Sequence, residues 1–531
     1  MRGGHVAASS PEHFKRQITA TDLVLVGVGS IIGSGWLFAA GKVAAIAGPA
    51  GSLSWVIGGI ALLLLGLVYA ELGAALPHAG GLVRYPYYTH GPLVSYMVSF
   101  VTVIAFSSLI AIEVLAVRQY ASGWWPALTQ HGSNAPTALG WGIQLLLFVV
   151  FFLLNYWSVG VFAKSNAIVT WFKFIVPTLV VVVLLGHLKG ANFDVRGFAP
   201  HGIGAVTSAV ATGGVMFAYL GLTPLMALAG EVRNPQRNLP LALIGTTIAS
   251  TVIYILLQVA FIGGVPTDLV TSDGWSKIGN VFSLPYYDIA IALGVTWLAV
   301  LVSIDAAVSP SGTGNIYMST TPRVIYGWAR TGTLFRIFGK VDERTGIPRP
   351  ALWLTFFLSI FWTLPFPSWD ALVAVVSSAL IFSYALAPIS AHALRLSNPD
   401  MPRPFLLRGM NVISPLAFVI ASLILYWAGW STISWLLGVQ VAMFLAYLAF
   451  GRRVRIDGVS LGAQIRASLW LIFYYLMIML VSGLGSFGGT GWLPSPWDQL
   501  GVAIVALVTY YWAVYAARLP RALLPAHVEG A

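Results

Sequence analysis

The chain has 531 residues, 58% hydrophobic and 8% charged, with a formal net charge of +11 and no cysteine. Soluble domains carry about 25% charged residues, so this composition excludes a soluble globular protein and points to an integral membrane protein. The missing thiols exclude structural disulfides, thiolate metal sites and cysteine catalysis, and apolar runs of about 20 residues exclude the short alternating segments of an outer-membrane barrel.

Residues 1–20 are polar, with Lys15 and Arg16 and no apolar core, so they read as a cytoplasmic tail without a cleavable signal peptide. Hydropathy then predicts about fourteen spans: 21–46, 52–76, 92–121, 138–156, 160–188, 203–228, 239–263, 290–322, 350–368, 370–394, 411–430, 432–451, 467–487 and 498–517. They are numbered in that order below. Span 1 contains "GVGSIIGSGWLF" (27–38), where clustered glycine and serine interrupt an apolar run. Glycine costs about 1 kcal/mol against alanine in a helix, so the run predicts a discontinuous span. Span 6 repeats the feature in "GGVMFAYLGLTPLMALAGE" (213–231), with Gly213, Gly214, Gly221 and Pro224. Each broken span opens a group of five. Five is odd, so the two groups have opposite topology, as an inverted repeat requires.

A break at membrane depth is tolerated only where it lines a protein cavity or site. Freed amides at the start of a half-helix bind a carboxylate, and freed carbonyls at the end of one accept from an ammonium group. One break of each kind suits a zwitterion, and an amino acid is the obvious one.

Ionisable groups within spans are costly and are read as functional. Glu113 in span 3 is a candidate proton site or substrate contact; the structural alternative is an interhelical bond, with Arg118 as a partner. Lys173, mid-span 5, is either a proton carrier or a charged tether. Asp305 in span 8 carries the same alternatives as Glu113, or caps a local break at Pro310. Glu71 and Glu231, near the ends of spans 2 and 6, are expected to pair with Arg84, Arg233 or Arg237 as anchors or gates. The segment 323–349, "RVIYGWARTGTLFRIFGKVDERTGIPR", is basic and amphipathic and is expected partly at the membrane surface. Histidines lie mostly in loops and tails, His392 excepted, and none has metal-ligand spacing. The 20 tryptophans read as interfacial belt and packing residues. "GSIIGSG" lacks the strand before it and the acidic residue after it that a nucleotide motif needs.

The excess charge is a topology signal rather than a nucleic-acid signature. Arg118, Lys189, Arg196 and Lys277 fall on one side, Lys42 and Lys173 inside spans, and the other Lys and Arg on the opposite side. The positive-inside rule makes that opposite side cytoplasmic, with both termini there. Membrane lipids are therefore expected partners, and nucleic acid is not.

Several segments resemble the amino acid–polyamine–organocation permeases: "GSIIGSGWLF", "YAELGAALPHAGGLVRYPYY" (69–88), "NAIVTWFK" (166–173), "FAYLGLTPLMALAGEVRNPQRNLP" (217–240) and "RVIYGWARTGTLF". The resemblance covers about residues 15 to 450. The variants "IGSGW", "GGLVRYP" and "SPSGTGN", with fourteen spans, are most like that family's aspartate–proton symporter branch. The resemblance implies an all-α membrane protein with a LeuT-type 5+5 inverted-repeat core over 21–394 (repeats 21–188 and 203–394). Four accessory spans over 411–517 and a tail over 518–531 follow.

It also implies a site in which the Ser34 and Gly35 amides meet the substrate carboxylate beside Ile31. Carbonyls near Phe217, Ala218, Leu220 and Gly221 would meet the ammonium. Phe217 would be the lid, with Ala105 and Phe106 of span 3 and Asn315 and Tyr317 of span 8 contributing. Lys173 would bridge the broken part of span 1 and span 8. The family is usually aliphatic where this chain has Trp36, a departure expected to reshape the side-chain pocket.

The expected function is secondary active import of an amino acid, by symport with H+ as coupling ion and no cofactor, with aspartate or glutamate as the implied cargo. An exchanger of the same superfamily is the alternative. An intramembrane enzyme would need an acid–base or nucleophile cluster that the dispersed acids do not form. The expected location is the cell membrane, and the oligomeric state is left open.

Overall fold

A computed structural model describes residues 18–77, 80–130, 133–157, 159–219, 221–227, 232–450, 460–520 and 523–524. Among these the chain is helical, with isolated bridges and no strand. Span 1 is two helices, Ala20–Ile31 and Gly35–Ala47. Span 6 is three pieces, Gly202–Thr212, Val215–Tyr219 and Leu222–Ala227. Between and after them run span 2 (Gly51–Ala75), span 3 (Pro92–Ala121), span 4 (Ala138–Trp157), span 5 (Val159–Leu185) and span 7 (Pro235–Gly264). Spans 8, 9 and 10 are Thr296–Arg330, Arg349–Trp362 and Trp369–Ser397. Spans 11 to 14 are Met410–Trp427, Trp430–Phe450, Leu461–Leu484 and Trp497–Tyr511, the last running on as a wider turn through Ala517. Among the described residues nine helices are long and apolar enough to cross a membrane, and this is a multi-pass membrane protein.

Local chemistry sets the boundaries. Span 1 begins at a reciprocal cap: the Asp22 amide donates to Thr19 Oγ1 at 3.2 Å and the Thr19 amide to Asp22 Oδ2 at 3.0 Å. The Arg233 amide donates to the Ile18 carbonyl at 2.9 Å, pinning the start of span 1 beside the start of span 7. Ser368 caps span 10 through the Ala371 amide at 3.2 Å.

Burial separates core from periphery. The most apolar stretches of spans 3 and 10 are 94% buried, against 33% in spans 4 and 12. Outward positions such as Leu146, Trp171, Val182, Val252 and Phe357 are exposed and apolar, as a lipid-facing surface requires. Span 1 packs on span 6, span 2 on span 7, span 3 on span 8 and span 4 on span 9. The end of the chain closes a seam: the Leu519 amide donates to the Thr89 carbonyl at 2.8 Å and the Leu523 amide to the Tyr88 carbonyl at 2.9 Å. Thr89 belongs to the helix Gly81–His90 that precedes span 3.

Three expectations change. Span 8 starts at Thr296 rather than 290, because Gly294, at φ +74°, turns the chain out of a separate helix Pro285–Ala292. The helix runs unbroken through Pro310, and Asp305 caps no break there; its carboxylate is engaged by side chains instead. Segment 323–349 is helical as far as Arg330, then forms a short turn Arg336–Gly339. Phe335 there is 76% exposed, an apolar side chain available to a membrane surface.

Candidate functional site

The two breaks meet at the centre of the molecule, and their glycines explain how. A methyl on Gly35 would lie 2.7 Å from Ala218 Cα, and one on Gly221 would lie 2.6 Å from the Ile31 nitrogen. Both positions are closed to any side chain, so the unwound segments touch backbone to backbone. Tyr254 of span 7 stitches them, its hydroxyl within 2.9 Å of the Ile31 carbonyl and 3.0 Å of the Ala218 carbonyl. These are freed acceptors at the ends of half-helices, which a buried protein must satisfy.

The remaining ends of the span 1 break are met by an acidic and a basic side chain from other spans. The Ser34 amide donates to Glu113 Oε2 at 2.8 Å. Lys173 Nζ donates to the Gly29 carbonyl at 2.5 Å and to Thr313 Oγ1 at 2.6 Å. A carboxyl group therefore sits at the start of the half-helix Gly35–Ala47 and an amine at the end of Ala20–Ile31, each where its charged form would match the local helix dipole. Glu113 and Lys173 are fully enclosed, at 1% and 0% exposure. A methyl on Gly33 would lie 2.5 Å from Glu113 Oε1 and 2.9 Å from Thr313 Oγ1, so this glycine makes the room both groups use.

A second buried carboxylate lies along span 8. Asp305 accepts from Ser309 Oγ at 2.7 Å and from the Trp36 indole at 3.2 Å, and Trp36 packs on Tyr286 with ring centroids 5.2 Å apart. Trp36 thus faces span 8 and Asp305.

Above the breaks, on the side where span 1 ends, three aromatic rings form a plug. Trp369 stacks on Phe38 at 4.9 Å, meets Phe217 edge-on at 5.6 Å, and donates its indole proton to Ser34 Oγ at 2.9 Å. Beyond the plug lies a cavity of about 710 Å³ lined by Phe38, Lys42, Asn134, Ser283, Pro285 and Asp370, among others.

Ile31, Ser34, Gly35, Phe217, Ala218 and Gly221 thus converge, with Glu113 and Lys173 beside them. Leu220 and Glu231 lie outside the described residues. Ala105 is buried in span 3, while Phe106 packs on Tyr317 at 5.1 Å. Asn315 is turned to span 4, accepting from Asn155 Nδ2 at 2.7 Å.

Other expected partners differ. Arg118 is held by Thr129 Oγ1 at 2.8 Å and by the Asn134 and Pro367 carbonyls, not by Glu113, because Arg118 sits at the span's end within reach of loop acceptors. Glu71 pairs through both oxygens with Arg395, lies 3.7 Å from Arg403 and accepts from the Leu407 amide at 2.8 Å. Span 10 and the loop after it, rather than Arg84, Arg233 or Arg237, surround it. Lys42 is in no apolar interior: it meets Asp370 at 2.6 Å at the cavity wall. His392 Nδ1 lies 2.7 Å from the Tyr510 hydroxyl.

Sequence reasoning missed Trp369, Tyr254 and Thr313. Trp369 carried a faint signal, as a tryptophan beside an acid at a helix start, but read as one of many belt residues. Tyr254 and Thr313 carried none.

Two half-helix junctions in contact inside a polytopic helical protein, one of them flanked by the enclosed Glu113 and Lys173, are the arrangement of a membrane transporter. The comparisons with known proteins agree. The model for the amino acid permease family matches residues 18–451. The chain is 55% identical to the "Aspartate-proton symporter" of Bacillus subtilis (strain 168), over 97% of this chain and 99% of that one. It is 40% identical to the "Glutamate/serine transporter AimA" of the same organism, over 94% and 93%. At 26% it is similar to the "Branched-chain amino acid permease BcaP", over 83% and 94%. The chain belongs to the amino acid permease family, and these relatives are transporters.

Proposed function

We propose that the protein imports an acidic amino acid, aspartate in the first instance, by symport with a proton. The cargo is supported by the relative at 55% identity, an aspartate-proton symporter, and by the one at 40%, a glutamate/serine transporter. The coupling is supported by one observation above all: the Glu113 carboxylate occupies the Ser34 amide at 2.8 Å. That amide opens a half-helix and is the donor a substrate carboxylate would use. Glu113 is then a tethered stand-in for the substrate. Charge-assisted hydrogen bonds are roughly twice as strong as neutral ones, so an ionised Glu113 holds the donor against an incoming carboxylate. A protonated Glu113 yields it. Substrate binding therefore requires a proton to be taken up, which is the linkage symport needs.

Lys173 serves as the fixed cation that holds the end of Ala20–Ile31 to span 8 and balances Glu113. Asp305 orients Trp36, and Phe217 with Trp369 closes the site.

The scaffold is read as a LeuT-type 5+5 core over 21–394 with repeats 21–188 and 203–394, then accessory spans over 411–517, about fourteen in all. The matching breaks in spans 1 and 6 support it, as does the packing of spans 1, 2, 3 and 4 on spans 6, 7, 8 and 9, each on the span five places later. Both termini are placed in the cytoplasm by the basic residues, so the 710 Å³ cavity opens outward.

The test is Glu113→Gln in proteoliposomes. It is expected to keep aspartate binding and counterflow, to lose accumulation driven by a pH gradient at least 10-fold, and to bind aspartate independently of pH. Accumulation at the wild-type level in that variant refutes the mechanism. Net uptake by the wild type into vesicles empty of amino acid excludes obligatory exchange.

A further inference from the structure

The outer cavity holds a charged pair that the mechanism above does not use. Lys42 and Asp370 meet at 2.6 Å on its wall, with side chains 27% and 48% exposed. A pair this accessible to water is weak and exchangeable, unlike an enclosed one. The cavity volume of about 710 Å³ falls within the range of small-molecule sites, about 300–1,000 Å³. Its other polar lining includes Asn134 and Ser283, neutral groups able to hydrogen-bond a carboxylate or an ammonium.

The pair is also joined to the gate. Lys42 Nζ lies 5.9 Å over the Trp369 ring, and Asp370 is the next residue after Trp369 on the first turn of span 10. Trp369 in turn reaches Ser34 at the break. Trp369 thus links the cavity side of the plug to Ser34 at the break.

We propose that this cavity is a recruitment subsite for the acidic amino acid, in which the Lys42 ammonium takes a cargo carboxylate and Asp370 is the intramolecular anion it displaces. The proposal rests on the acidic-cargo reading above. Once Asp370 leaves Lys42, the start of span 10 loses its tie to span 1, and the Trp369 plug is free to swing from Phe38. Recruitment and gate opening are then one event, and an anionic cargo triggers it best because it brings an extra carboxylate.

Uptake of aspartate by Lys42→Gln and Asp370→Asn in proteoliposomes tests this. Lys42→Gln is expected to raise KM about 10-fold while leaving the maximal rate within about twofold, and to abolish the salt dependence of KM. Asp370→Asn, which leaves Lys42 unopposed, is expected to lower KM severalfold, and Lys42→Arg to stay near wild type. A pair that acts only as a structural tie is broken equally by either variant. Parallel shifts of K42Q and D370N therefore overturn the subsite, as does an unchanged KM in both. Wild-type vesicles that take up no aspartate overturn the cargo reading and the subsite with it, whereas wild-type uptake with parallel variants overturns the subsite alone.

Discussion

At the scale of single residues, Gly33 carries more of the site than its lack of a side chain implies. Its missing methyl is the space between the Glu113 carboxylate and the Thr313 hydroxyl. Gly33→Ala is expected to push Glu113 off the Ser34 amide and to cost about 1–3 kcal/mol of stability by overpacking. Aspartate uptake driven by a pH gradient should fall at least 10-fold while the protein still reaches the membrane; full uptake by G33A would contradict the close packing. The glycine cluster itself was legible in the sequence, because helix propensity singles it out inside an apolar run. Its anionic partner was not, because no local pattern shows that Glu113, 79 residues from Ser34, folds back onto that amide. Trp36 shows the same limit: a residue flagged as unusual within its motif finds its reason only in Asp305, 269 residues away.

At the scale of elements, the broken spans depend on a third helix. Tyr254 gives one hydroxyl to two carbonyls, Ile31 and Ala218, and so fixes the two breaks relative to each other. Tyr254→Phe leaves those acceptors short of a donor, at a cost of about 1–3 kcal/mol for buried polar groups. The expected signature is a lower melting temperature together with faster hydrogen exchange in residues 32–35, with spans 3 and 10 unaffected; uniform protection across the chain would refute the stitching role. Span limits were mostly legible, since hydropathy marks where lipid ends. Span 8 was misread at its start because Gly294 turns the chain while the residues around it stay apolar. Span 8 also runs on to Arg330, past the expected limit at 322, because buried Arg323 donates to the Ser319 carbonyl at 2.7 Å and so lies along its own helix.

At the scale of the whole molecule, the charge asymmetry predicts which loops face outward, and the absence of cysteine makes the test simple. Ser133→Cys, at the cavity wall, is expected to react with a membrane-impermeant maleimide applied to intact cells. Thr345→Cys, between spans 8 and 9, should react only after the membrane is opened; the reverse pattern inverts the topology. The family was legible through motifs in order, whereas the outer cavity was not, because its lining comes from stretches as distant as residues 38–46, 133–134, 276–285 and 370. The seam at the end of the chain bears on how the protein is made. The carbonyls of Tyr88 and Thr89 are among the early parts of the transport core to leave the ribosome, yet their donors at Leu523 and Leu519 are synthesised some 430 residues later. At synthesis rates of about 5–20 residues per second, these two bonds can form only tens of seconds after Tyr88 and Thr89 are made.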